Sequence, residues 1–75
     1  MSFEQRTTED LIRIAAAGGG FTLTATHRTT EDLIRIAAAA SGKGSRVTFT
    51  GLMHRTTPDL IRIGAAGQGC VVLEG

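Results

Sequence analysis

The sequence has no tryptophan or tyrosine and only one cysteine, Cys70, which excludes a disulfide within one chain. A single thiol also cannot build a thiolate zinc site. Neither an apolar run of about 18 residues nor a basic segment followed by an apolar one is present, so no membrane span or signal segment is expected. The net charge of +1 argues against a chain that coats nucleic acid or an anionic membrane. These absences favour a cytoplasmic protein.

Small residues dominate the composition, with 11 Thr, 10 Ala and 10 Gly among 75 residues. A chain of this length forms at most one domain, here residues 1–75. It buries only about 60% of the surface that its unfolded chain exposes, so an isolated monomer is expected to be marginally stable.

An internal repeat organises the chain. The segment RTTEDLIRIAAA, residues 6–17, recurs unchanged at residues 28–39, and RTTPDLIRIGAA follows at residues 55–66. A glycine-bearing break and then an apolar, β-prone run follow each copy. The sequence therefore predicts three helix–strand repeats, at about residues 6–27, 28–54 and 55–75.

The repeated segment has the pattern of an amphipathic helix. At 100° per residue, Leu11 and Ile14 fall on one arc and Arg13 lies near the centre of the other. The second threonine of each copy is the predicted N-cap, which would put Pro58 at the first helical position of the third helix. These predicted caps are Thr8, Thr30 and Thr57. A glycine is expected to end each helix.

The apolar runs predict a small parallel sheet. Alternation of apolar residues with threonine at 21–26 and 47–50 indicates strands with one face on a core. Residues 70–73 are apolar throughout, which indicates a strand covered on both faces. Right-handed crossovers between parallel strands would place all three helices on one face of the sheet, giving an α/β fold. Residues 2–5 are a candidate for a further short edge strand.

This arrangement leaves surface uncovered. The outer strands have unpaired edges, and the second sheet face, rich in threonine and expected to end in Val71 and Leu73, has no helix over it. We therefore expect a homo-oligomer, formed by pairing of strand edges or by stacking of sheets.

The segments QRTT, HRTT and HRTT precede the three helices and form a candidate anion site. Ligands of open α/β sheets bind where strands end and helices begin, and helix N–H groups, hydroxyls and arginines suit a phosphate. The alternative is structural: the threonines cap the helices and the arginines pair with nearby acids. The candidate anion-binding residues are Arg6, Thr7, Arg28, Thr29, Arg55 and Thr56.

A second arginine row, Arg13, Arg35 and Arg62, lies on the outer helical faces. Glu9–Arg13 and its counterpart in the second helix have i,i+4 spacing, which is worth only about 0.2–0.5 kcal/mol per pair. With acids interleaved and no aromatic platform for bases, the row supports nucleic-acid binding only weakly. The exposed alanines beside it would also suit an assembly surface.

No constellation points to catalysis, a metal or another cofactor. His27 and His54 occupy equivalent positions, but a structural zinc site needs four ligands and no others are evident. Cys70, in an apolar strand, fits an inert core residue better than an activated thiolate. The sequence favours a non-catalytic interaction or self-assembly protein that binds itself or a protein partner. An anion-binding module, for phosphate or nucleic acid, is the alternative.

Overall fold

The computed structural model describes residues 6–75, which form three alternating helices and strands. These are α1 (Thr8–Ala16), β1 (Phe21–Thr24), α2 (Thr30–Lys43), β2 (Val47–Thr50), α3 (Thr57–Gly67) and β3 (Val71–Leu73). The strands form one parallel sheet in the order β1-β2-β3. The predicted α/β fold of helix–strand repeats is confirmed. The candidate strand at residues 2–5 lies outside the described residues.

The helices cover one face of the sheet. In β1, Phe21 and Leu23 are buried while Thr22 and Thr24 are exposed, as the alternating sequence predicts. The hydrophobic core lies between this apolar face and the helices, and each large side chain buried there contributes about 1.5–3 kcal/mol. Its largest fully buried side chains are Leu11, Leu23, Leu33, Ile36, Val47, Phe49 and Ile63.

β3 is an edge strand of the described sheet, not a strand covered on both faces. The register pairs Phe49 with Leu73 and Thr48 with Val72. Val71 and Leu73 therefore share the helix-covered face, and it is Val72 that continues the open threonine face. The prediction that Val71 and Leu73 end the open face is wrong. Val72 and Leu73 are 38% and 36% exposed, because β3 has a neighbouring strand on one side only among residues 6–75.

Each helix begins one residue earlier than predicted. The N-caps are the first threonines of the doublets, and the Thr29 hydroxyl accepts the N–H of Asp32 at 3.1 Å. The other two caps are Thr7 and Thr56. Pro58 is consequently the second residue of α3 rather than the first. The second threonines lie in the first helical turn, and the first two of them bond through their hydroxyls to the following repeat.

The helix ends differ among the repeats. α2 runs through Gly42 and stops at Lys43, and Gly44, with φ of 69°, is its left-handed C-cap. α1 is likewise closed by a left-handed glycine, Gly18 with φ of 98°, whose N–H bonds back to the last helical turn. α3 instead ends with Gln68 at φ of 49°. The prediction that glycine ends every helix is therefore right for α1 and α2 and wrong for α3.

Candidate functional site

The structure places the arginines of the Arg-Thr-Thr segments in contact with the preceding repeat. Arg28 donates from Nη1 to Thr8 Oγ1 at 2.8 Å and from Nη2 to the carbonyl oxygen of Arg6 at 2.6 Å. Arg55 donates in the same way to Thr30 Oγ1 at 2.9 Å and to the carbonyl oxygen of Arg28. The arginine at the start of one repeat thus donates hydrogen bonds to the first residues of the preceding repeat.

The same threonine hydroxyls bond to an aspartate of the following repeat. Thr8 Oγ1 donates to Asp32 Oδ2 at 3.3 Å, and Thr30 Oγ1 donates to Asp59 Oδ2 at 3.3 Å. A hydroxyl has one donor and two acceptor sites, so it can serve both charged partners at once. We call this arrangement the Arg–Thr–Asp contact. It occurs twice, once at each junction between repeats.

The outer arginine row also joins neighbouring helices. Arg35 lies 2.8 Å from Glu9 and Arg62 lies 3.0 Å from Glu31. The structure thus pairs these residues between helices, whereas the sequence predicted i,i+4 pairs within one helix. Parallel helices set side by side bring each arginine next to the glutamate of the preceding repeat. These side chains are at least half exposed, so each pair contributes only about 0–1 kcal/mol.

Two shallow cavities lie between successive Arg-Thr-Thr segments. One, of about 380 Å³, is lined by residues that include Arg28, Arg55 and His54. The other, of about 290 Å³, is lined at equivalent positions by Arg6, Arg28 and His27. Each cavity also has an aspartate in its wall, Asp59 or Asp32.

The cavities bring together four of the six candidate anion-binding residues, all except Thr7 and Thr29, but most of the six already have structural roles. The hydroxyls of Thr7, Thr29 and Thr56 each accept a backbone N–H of their own helix. They take up a donor that an anion would otherwise use. A threonine thus caps each helix, although it is the first of each doublet and not the predicted second. Arg28 and Arg55 bond to hydroxyl and carbonyl oxygens of earlier repeats.

The third repeat exposes side chains whose counterparts are covered in the first two. Ile61 of α3 is 64% exposed, whereas Ile12 and Ile34 at the same repeat position are partly buried against the core. Thr57 is exposed and has no Arg–Thr–Asp contact within residues 6–75, unlike its two counterparts. We call Thr57 and Ile61 the repeat-3 end.

The first repeat has the complementary surface. Ile14 is partly buried, whereas Ile36 and Ile63 at the same repeat position are fully buried. The side chains of Arg6 and Asp10, the counterparts of the arginine and aspartate in the contact, have no hydrogen-bond partner among the described residues. We call Arg6, Asp10 and Ile14 the repeat-1 end.

Comparisons with protein-family models, with curated proteins and with solved structures found no match to this chain. Within residues 6–75, no three His, Cys, Asp or Glu side chains come together in a way that could hold a metal ion. No helix in that part of the chain has the length and apolarity needed to cross a membrane. Cys70 is half-buried and packs against the core.

Sequence reasoning missed the role of Thr8 and Thr30 and of the aspartates that they contact, Asp32 and Asp59. It assigned the second threonine of each doublet to capping. Their signal was the fixed spacing of arginine, threonine and aspartate in all three copies. Hydrogen bonds between successive repeats explain that spacing. A pattern read within one helix does not reveal those bonds.

Proposed function

We propose that the protein is a non-catalytic, cytoplasmic interaction module whose partner is another copy of itself. The observation that carries the proposal is the exposure of Ile61, at 64%, in a repeat position that is partly buried in both earlier repeats. Burial of an isoleucine side chain contributes about 1.5–3 kcal/mol. Ile61 therefore exposes a surface that the internal junctions use for packing.

Two further features support self-association. β3 is an edge strand of the described sheet, and unprotected strand edges pair readily with other strands. On the other face of the sheet Thr22 is exposed and no helix of residues 6–75 lies over it, although parallel sheets are usually covered on both faces. A chain of 75 residues also forms only a small hydrophobic core, so burial of further apolar surface between copies would stabilise it.

Sedimentation velocity across the micromolar range tests this proposal. The sedimentation coefficient of the wild-type protein should rise with concentration, and Ile61→Lys should lower that rise. Ala38→Lys is the matched control, since Ala38 is exposed within α2 and lies outside both end surfaces. A wild-type monomer at every concentration would refute self-association. Loss of association in Ala38→Lys alone would instead locate the interface on the outer helical face.

Anion binding is the second candidate function, and the two equivalent cavities favour it. Each is lined by two arginines and a histidine at the sheet edge where ligands of open α/β sheets bind. Arg55 donates to uncharged oxygens of Thr30 and the backbone, so those bonds leave its guanidinium charge unneutralised.

Calorimetric titration with inorganic phosphate and with polyphosphate tests this second candidate. Binding should weaken as salt rises. Arg6→Gln should weaken it further, because Arg6 lines one cavity without bonding through its side chain to the described residues. Arg13→Gln removes the same charge away from the cavities and is the control. Equal effects of the two variants, or no heat of binding at low salt, would refute an anion site here.

A further inference from the structure

We infer that copies of this protein join head to tail, the repeat-1 end of one copy docking on the repeat-3 end of the next. In that contact, Arg6 and Asp10 of one copy meet the Thr57 hydroxyl of the other and form a third Arg–Thr–Asp contact. The inference rests on the proposed self-association and specifies which surfaces carry it.

The polar groups at the two ends are the separated halves of a contact that the chain forms twice internally. Thr57 supplies the hydroxyl, and Arg6 and Asp10 supply the donor and the acceptor. The helix starts also have the same backbone geometry: φ is −71°, −75° and −73° at Thr7, Thr29 and Thr56. A docked second copy would therefore meet Thr57 with side chains on the same local scaffold as at the internal junctions.

The apolar groups complement one another in the same direction. Ile61 is exposed where the following repeat would cover it, and Ile14 is incompletely buried where a preceding repeat would cover it. At the internal junctions, Ile36 and Ile63 reach full burial with a preceding repeat in place. Head-to-tail docking would cover both ends with the residue types that cover them inside the chain.

The difference between the third copy and the others weakens the contact without preventing it. Pro58 stands where the earlier repeats have Glu9 and Glu31, which accept ion pairs from the arginine of the following repeat. Arg13 of a docked copy would therefore find no carboxylate at that position. The contact between copies should be weaker than the internal junctions and hence reversible.

Because two different surfaces meet, the contact is heterologous. Such contacts are repeated from copy to copy and produce rings when the rotation closes and open chains when it does not. A two-fold dimer would instead bury the same end of both copies. This difference makes the inference testable with variants blocked at one end.

The test mixes Ile14→Lys, blocked at the repeat-1 end, with Ile61→Lys, blocked at the repeat-3 end. Each variant alone should be monomeric by sedimentation, and an equimolar mixture should form a 1:1 heterodimer that grows no further. Circular dichroism checks folding, and Asp10→Lys replaces Ile14→Lys if the latter unfolds. If the wild type associates but either blocked variant still self-associates, or the mixture does not combine, the head-to-tail inference is wrong and self-association stands. A monomeric wild type would refute both.

Pro58→Glu restores the missing carboxylate and provides a second test. The dissociation constant for self-association of this variant should be about two- to fivefold lower than that of the wild type, as expected for an exposed ion pair. Pro58→Gln, which removes the proline without adding charge, should lack this gain, and so should Pro58→Glu combined with Arg13→Gln. Equal tightening by Pro58→Glu and Pro58→Gln would contradict the proposed contact.

Discussion

Arg55 donates a hydrogen bond to the Thr30 hydroxyl across the junction between the second and third repeats, over 2.9 Å. Arg28 and Thr8 have the same relationship at the first junction, at 2.8 Å. A residue triplet that resembles an anion-binding motif in the sequence thus holds adjacent repeats together in the fold. At the repeat-1 end and the repeat-3 end, the side chains of the same residue types have no hydrogen-bond partner from a neighbouring repeat within residues 6–75.

Arg55→Ala should destabilise the fold much more than Arg6→Ala. The first removes hydrogen bonds from a charged donor to Thr30, Ala25 and Arg28, and bonds to charged groups contribute about 1.5–3 kcal/mol each. The second removes a side chain with no partner among the described residues and should cost at most about 0.5 kcal/mol. Urea unfolding at low protein concentration measures both. Equal losses would show that the junction bonds contribute nothing.

Arg55 and Thr30 should be energetically coupled. A double-mutant cycle with Arg55→Ala and Thr30→Val should give an interaction energy of about 0.5–1.5 kcal/mol, because the two side chains share a direct bond. The matched cycle with Arg6→Ala and Thr57→Val should give none in the monomer, where these residues occupy opposite ends of the array. Coupling of similar size in both cycles would argue for an indirect effect.

Two glycine substitutions should have opposite effects. Gly42→Ala should stabilise the fold by about 0.5–1 kcal/mol, because Gly42 lies inside α2 and a Cβ there meets nothing within 4 Å. Gly20→Ala should destabilise it by about 1–3 kcal/mol, since its Cβ would lie 2.5 Å from the carbonyl oxygen of Arg46. Thermal unfolding distinguishes the two. A Gly20→Ala variant as stable as the wild type would mean that the backbone at Gly20 lies farther from Arg46 than this distance indicates.

Ser45→Ala should cost about 1 kcal/mol. Ser45 is 3% exposed, and its hydroxyl donates to the carbonyl oxygen of Ala15 at 2.7 Å. Ser41→Ala is the control: its hydroxyl bonds only to Ala38 within the same helix, so its loss should be nearly neutral. Denaturant unfolding that ranked Ser41→Ala as the more harmful change would contradict this role for Ser45.

The sequence predicted the order of elements correctly because each signal was local. Repeated apolar spacing around Leu11 and alternation around Phe21 determine which face of each element is buried, and both periods are properties of the chain itself. The helix starts were misplaced by one residue because a threonine doublet offers two caps. The choice depends on Arg28 and Asp32, which engage the second threonine from another repeat.

The remaining errors also concern contacts between repeats. Spacing within α1 predicted the pair Glu9–Arg13, but Glu9 instead forms its ion pair with Arg35 of the next helix. The apolar residues of β3 predicted a strand covered on both faces, yet Val72 is an exposed residue of an edge strand. The prediction failed because composition does not determine which neighbours a strand has. The residues of the candidate site were identified from their pattern, whereas their structural partners required the three-dimensional arrangement.

A crystal or cryo-EM structure of the assembled protein would show directly whether copies join head to tail. We expect the guanidinium of Arg6 in one copy to lie within hydrogen-bond distance of Thr57 Oγ1 in the next, with Ile61 buried at the contact. An assembly in which Ile61 stays exposed and like ends meet about a two-fold axis would contradict this expectation.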